Sequence, residues 1–194
     1  MALWDNPAMR KRPALFHYTF GPKLPLIERS GRLIPTGFGL ALSSREKPIL
    51  WWSANPQFET TAAKVMSMDA GKTFFRPDLP QLHELIGAYR FQLPASAPCP
   101  GLMPWTEIVR VARMDAREIT GLVASGVKLG AKPVDWWGTC SPLELSEHLT
   151  LECWDGSSWS PVPGGLPAAV EAYDRRGLNI GQTTASNTPE ARGL

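Results

Sequence analysis

Nineteen prolines lie scattered through the 194 residues of the chain, and no other feature restricts the fold as much. Inside a helix a proline removes an intrahelical hydrogen bond and clashes with the preceding turn, and in a central strand it removes a rung of the ladder. The distribution argues against long helices and for short elements joined by ordered turns, which reads as an α+β domain. At 43% hydrophobic, such a chain can bury a core without disulfide or metal staples. One domain is expected over 14–175, preceded by an irregular arm over 1–13 and followed by a disordered polar tail over 176–194, too poor in apolar residues to order itself.

Charge and cysteine usage narrow the classes further. Twenty basic residues against eighteen acidic ones leave a formal charge of +2, which implies no nucleic-acid partner by field alone. Cys99, Cys140 and Cys153 cannot all pair with one another, and their spacing matches no secreted disulfide scaffold. Arg10, Lys11 and Arg12 are followed by no apolar run of signal-peptide length, and no stretch approaches the ~20 apolar residues of a membrane helix. A cytoplasmic protein with no membrane partner is the expectation. Cys140, His148 and Cys153 form only a loose cluster, which reads as structural and not as a metal site. There is no G-x-G-x-x-G after a strand, no Walker A loop and no G-x-S-x-G elbow.

Ala14 to Phe20 is rich in strand-forming aromatic and β-branched types and is closed by Gly21-Pro22. Lys23 to Ser30 reads as a short helix ended by Gly31. Leu33 to Ser44 reads as a long connection of the kind that carries binding loops. Pro48 to Ser53 then reads as a second strand, Thr60 to Met66 as a helix and Leu85 to Leu93 as a strand, with Lys72 to Gln81 ambiguous. Glu107 to Met114 fits either a strand or the start of a helix running on to Ala124, because short apolar runs do not separate the two by period. Val134 to Thr139 and Leu149 to Trp154 read as strands, Asp155-Gly156 as a hairpin turn into Trp159 to Val162, and Leu166 to Arg175 as a helix.

The first strand is the informative one. Alternation puts Phe16, Tyr18 and Phe20 on one face and Leu15, His17 and Thr19 on the other. A lone strand histidine is more often a satisfied core residue. His17 with Thr19, however, presents donors and acceptors on one face, the chemistry that reads a sugar hydroxyl and an amide. Trp51 and Trp52 also fit a plain core strand, and Trp105, Trp136, Trp137, Trp154 and Trp159 either line a base-binding cleft or serve the commoner use of packing in a core.

The strand His17-Tyr18-Thr19, the short helix ending at Ser30-Gly31-Arg32-Leu33 and the later Trp51-Trp52-Ser53 together resemble the His–aromatic–Glu class of ADP-ribosyltransferases, which includes DarT-like toxins and related phage and bacterial proteins. The resemblance covers residues 14–66. It implies a split, mixed β-sheet with short helices, and NAD as the bound nucleotide. It implies that His17 bonds the adenosine ribose, that Thr19 or the backbone beside Tyr18 holds the nicotinamide carboxamide, and that Ser53 supports a ribose. Trp51 or Trp52 would stack on nicotinamide, at a place where the family commonly has Tyr. The class also uses a late glutamate to stabilise positive charge on the ribose; Glu152 is the first choice and Glu107 the rival. Glu59 has the blander reading of a helix-start acid favoured by the helix dipole, with a site role as the lesser alternative.

The implied activity is transfer of ADP-ribose from NAD to a macromolecular acceptor, whether protein, DNA or RNA, or hydrolysis of NAD when none is present, in keeping with a toxin or phage effector. Acceptor choice lies in loops, not in the fold. Two alternatives stand beside it. One is an inactive nucleotide- or partner-binding module of the same fold; the other is a 2′-phosphotransferase relative, which would carry more basic residues for its RNA. The transferase reading expects His17 and Trp52 on adjacent strands, facing one cleft.

Overall fold

The computed structural model describes residues 12–35, 46–63, 65–68 and 73–177. Residues 36–44 of the connection expected from Leu33 to Ser44, the tail beyond 177 and residues 1–11 of the arm lie outside the described residues.

Strand β1 (Leu15–Phe20) is followed by a 3-10 turn over Gly21–Lys23 and then by α1 (Leu24–Ser30). The helix stops at Gly31, which takes φ 66° and donates its N–H to Ile27 and Glu28 carbonyls, a conformation that costs least without a Cβ. Next come β2 (Arg32–Leu33) and β3 (Leu50–Ser53). The helix expected over Thr60 to Met66 is only a 3-10 turn, Thr60–Ala62; the chain then extends into β4 (Met66–Met68), which pairs with β5 (Thr73–Phe75). Neutral local propensity yields there to hairpin pairing.

The ambiguous stretch up to Gln81 ends in a helix, α2 (Leu79–Ile86), started by a reciprocal capping box between Asp78 and Gln81. The strand expected from Leu85 therefore begins later, as β6 (Ala88–Leu93). After β7 (Met103–Pro104), the open alternative over Glu107 to Ala124 resolves into two helices, α3 (Trp105–Val111) and α4 (Ala116–Lys128). Arg113 at φ 58° breaks the run, and Asp115 caps the second helix by accepting from Arg117 N–H at 2.7 Å. The remaining elements are β8 (Trp136–Thr139), β9 (Leu143–Glu144), β10 (Thr150–Trp154), β11 (Trp159–Pro161) and α5 (Gly165–Arg175). Asp155 turns the last hairpin as expected, its carboxylate accepting from the N–H groups of Ser157 and Ser158.

Seven strands form one sheet in the order β11-β10-β6-β1-β3-β8-β7. Every pairing in it is antiparallel, which corrects the expectation of a mixed sheet. Alternation fixes the faces of a strand but not its direction, so the sequence pattern could not distinguish the two. β1 and β6 pair along all six residues of β1, whereas β1 and β3 share one rung, Phe16 opposite Ser53. The sheet thus divides into a four-stranded and a three-stranded half.

Helices α1 and α5 cover one face, with Leu24, Leu166 and Ala169 packed against Leu15, Phe91 and Leu151. On the other face α2 packs Leu82 and Ile86 around Phe20, and α3 packs Trp105 and Val109 around Trp136. Complete burial of a leucine such as Leu15, 0% exposed, contributes roughly 1.5–3 kcal/mol. Among the described residues no helix is long and apolar enough to cross a membrane.

Candidate functional site

Where the halves of the sheet part, a cleft of ≈ 530 Å³ opens between β1 and β3. His17 spans the gap: its Nδ1 lies 2.8 Å from the Trp51 carbonyl. A carbonyl only accepts, so Nδ1 carries the proton in this bond, and the imidazole takes up an acceptor that a strand N–H would use in an unbroken ladder. The bond fixes the orientation of the ring. Trp52 lies 5.5 Å from that ring, centroid to centroid, on the adjacent strand.

Thr19, Trp51 and Ser53 line the same cleft, but the side chains expected to act together do not all point alike. Trp52 is 2% exposed and belongs to the core beneath α1 and α5. Trp51 is half-buried and starts a train of indoles, 5.7 Å from Trp105, which in turn meets Trp136 edge-on at 5.1 Å. All three line the cleft, so Trp51 is the ring better placed to stack on a ligand. Tyr18 turns its side chain to the opposite face from His17, where its hydroxyl donates to the Asn55 carbonyl at 2.6 Å and its ring packs on Phe58 and Trp159. Burial, opposed by Arg90 and reinforced by Glu59 and Glu152, raises the Tyr18 phenol well above its ordinary range.

Neither expected carboxylate lines the cleft. Glu152 sits on β10, with β6 and β1 between it and the opening; it is buried and ion-paired to Arg90 at 2.6 Å, directly across the ladder. Glu107 is exposed in the first turn of α3, where the helix dipole accounts for an acid.

The carboxylate in the cleft is Glu59. It does cap the turn Thr60–Ala62, accepting from Thr61 N–H at 3.2 Å, and it also accepts from Thr61 Oγ1 at 2.7 Å and Ser53 Oγ at 2.9 Å. It is 6% exposed, and no ion pair reaches it among the described residues. One sequence signal could have raised it above a capping role: Glu59 is the only charge between Lys47 and Lys64, in a segment whose apolar strand is bound for the core. Lys23, Arg32 and Arg76 supply cations to the lining, where Glu59 is the one acid among the described residues. Arg32 is shared with Glu144 at 3.8 Å and Arg76 donates to the Ala63 carbonyl at 2.8 Å.

No group of three or more His, Cys, Asp or Glu able to hold a metal occurs among the described residues. No protein-family model matches the chain, and neither does any curated protein or solved structure.

Proposed function

We propose that the chain binds NAD in the cleft between β1 and β3 and transfers its ADP-ribose to a macromolecular acceptor, with Glu59 as the reacting carboxylate. Glu59 carries the reading: a carboxylate 6% exposed, without a cationic partner among the described residues, in a cleft walled by His17 and Trp51. Burying a charge on neutral donors alone is costly, and such costs recur where a site must act on developing charge.

The lining suits a dinucleotide. The cleft volume of ≈ 530 Å³ falls within the ~300–1,000 Å³ of small-molecule sites. Trp51 offers a face to a planar ring, His17 a fixed imidazole to a ribose hydroxyl, and Lys23, Arg32 and Arg76 balance a pyrophosphate. Bound NAD would supply a glycosidic bond that breaks with its electron pair leaving on nicotinamide while positive charge gathers on the ribose, whose anomeric carbon then bonds to a nucleophilic atom of the acceptor as that atom gives up its proton. Glu59 places a fixed negative charge beside that centre. Ser53 and Thr61 hold its oxygens beforehand, so the charge acts in a water-poor site without reorganising.

The test is NAD labelled in its adenylate part, offered with a lysate to the pure protein. Label should move to a macromolecule as nicotinamide is released, and Glu59→Gln should slow NAD turnover ~100-fold or more with little change in affinity. Binding without consumption would favour the inactive module, and absence of both would end the NAD reading.

A further inference from the structure

The segment between β3 and Glu59 has little ladder of its own, yet three successive carbonyls in it are each held by a side chain from the sheet. Asn55 O accepts from Tyr18 Oη at 2.6 Å, Pro56 O from Arg90 Nη1, and Gln57 O from Trp159 Nε1 at 2.7 Å. The donors stand on β1, β6 and β11, on one face of the sheet, because Tyr18 opposes Arg90, Arg90 opposes Glu152 and Glu152 opposes Pro161, two residues from Trp159. The segment is closed at its ends by the Ser53 to Glu59 hydrogen bond.

Arg90 is the centre of this arrangement. Its guanidinium carbon lies 4.2 Å from the Phe16 ring centroid and 4.6 Å from that of Trp159, and its Nε is fixed on Glu152 at 2.6 Å. A buried ion pair is weak evidence of stability, since apolar residues of similar volume often do as well. An apolar side chain cannot donate to a carbonyl, however, and a guanidinium fork held in two directions can do so along a third.

We propose that Arg90, oriented by Glu152, is a positioning residue that sets Glu59 in the cleft through the carbonyls of 55–57, with Tyr18 and Trp159 as its helpers. The inference rests on the reading of Glu59 as the reacting carboxylate. It gives Glu152 a role through Arg90, not on the substrate.

Two full-length variants test it. Trp159→Phe keeps a ring over Arg90 but removes one donor, and the double variant Arg90→Met, Glu152→Met removes the pair without leaving a buried charge. Misplacing a reacting group by even an ångström costs up to ~100-fold in rate. NAD turnover should therefore fall several-fold in the first and tenfold or more in the second, in kcat, with the dissociation constant for NAD unchanged. Amide exchange at Asn55, Gln57 and Thr61, whose N–H groups bond within the segment, should quicken in both while the melting temperature holds. Wild-type turnover in the double variant, or unchanged exchange at those amides, overturns the inference. A wild-type protein that never consumes NAD defeats the functional reading instead, and exchange alone then decides whether Arg90 holds the segment.

Discussion

Two buried glutamates in this molecule are satisfied in opposite ways. Glu152 faces a guanidinium, so its charge is neutralised by the fold, whereas Glu59 receives only hydroxyl and amide donors and leaves its charge directed at whatever enters the cleft. His17 stands on the adjoining wall with one nitrogen committed to the Trp51 carbonyl. His17→Ala should weaken NAD binding by ~1–3 kcal/mol, the usual loss when a polar partner in a dry site is removed. Calorimetry finding unchanged affinity in a folded variant would take His17 out of the site. The placement of His17 and Trp52 on one face, and of Trp51 and Ser53 on the other, follows from alternation along β1 and β3 together with the Phe16–Ser53 rung. Glu59 ranked below Glu152 and Glu107, because a capping bond such as the one to Thr61 is a sufficient local explanation for an acid there. Glu152 failed to reach the cleft because strand order, which places β6 and β1 in between, is set by long-range pairing that no local pattern records.

Among the elements, α4 shows how closely one wall of the cleft is packed. A Cβ built on Gly126 would come 2.5 Å from Cη2 and Cζ2 of the Trp136 indole, while one on Gly121, on the same helix, meets nothing within 4 Å. In a helix interior, Gly→Ala ordinarily stabilises by ~0.5–1 kcal/mol. Gly121→Ala should show that gain as a higher urea midpoint. Gly126→Ala should instead lose ~1–3 kcal/mol, because Trp136 is pinned edge-on against Trp105 and a stiff buried ring cannot withdraw cheaply. Equal gains from both substitutions would mean that α4 does not rest on Trp136. Several elements could be read from the chain: the hairpin at Asp155, the glycine stop at Gly31 and the last helix all have local causes. The capping pattern Asp78-Leu79-Pro80-Gln81 was equally local and could have identified α2. The direction of the strands and the break between α3 and α4 depend on pairing and on one residue at positive φ, Arg113, for which composition gives no cue.

At the scale of the whole molecule, the sheet is two half-sheets, and β1 and β3 join them by a single rung. The join is also crossed by the His17 imidazole on the Trp51 carbonyl, by the Tyr18, Arg90 and Trp159 donors on the carbonyls of 55–57, and by the apolar cluster in which Leu50 and Trp52 pack with Leu15 and Phe91. A ligand lodged between β1 and β3 touches both halves and exists only in the folded state, so it must raise the stability of the whole chain by mass action. At a concentration 100 times its dissociation constant, NAD should add ~2.7 kcal/mol. For a chain of this length, about 2–4 °C of melting temperature per kcal/mol makes that a rise of roughly 5–10 °C. Nicotinamide or adenosine alone, each filling part of the cleft, should give less at the same concentration, and His17→Ala should need more NAD for the same rise. A melting temperature indifferent to NAD at every concentration tried would mean that the cleft does not take NAD, and the functional reading built on Glu59 would have to be abandoned with it.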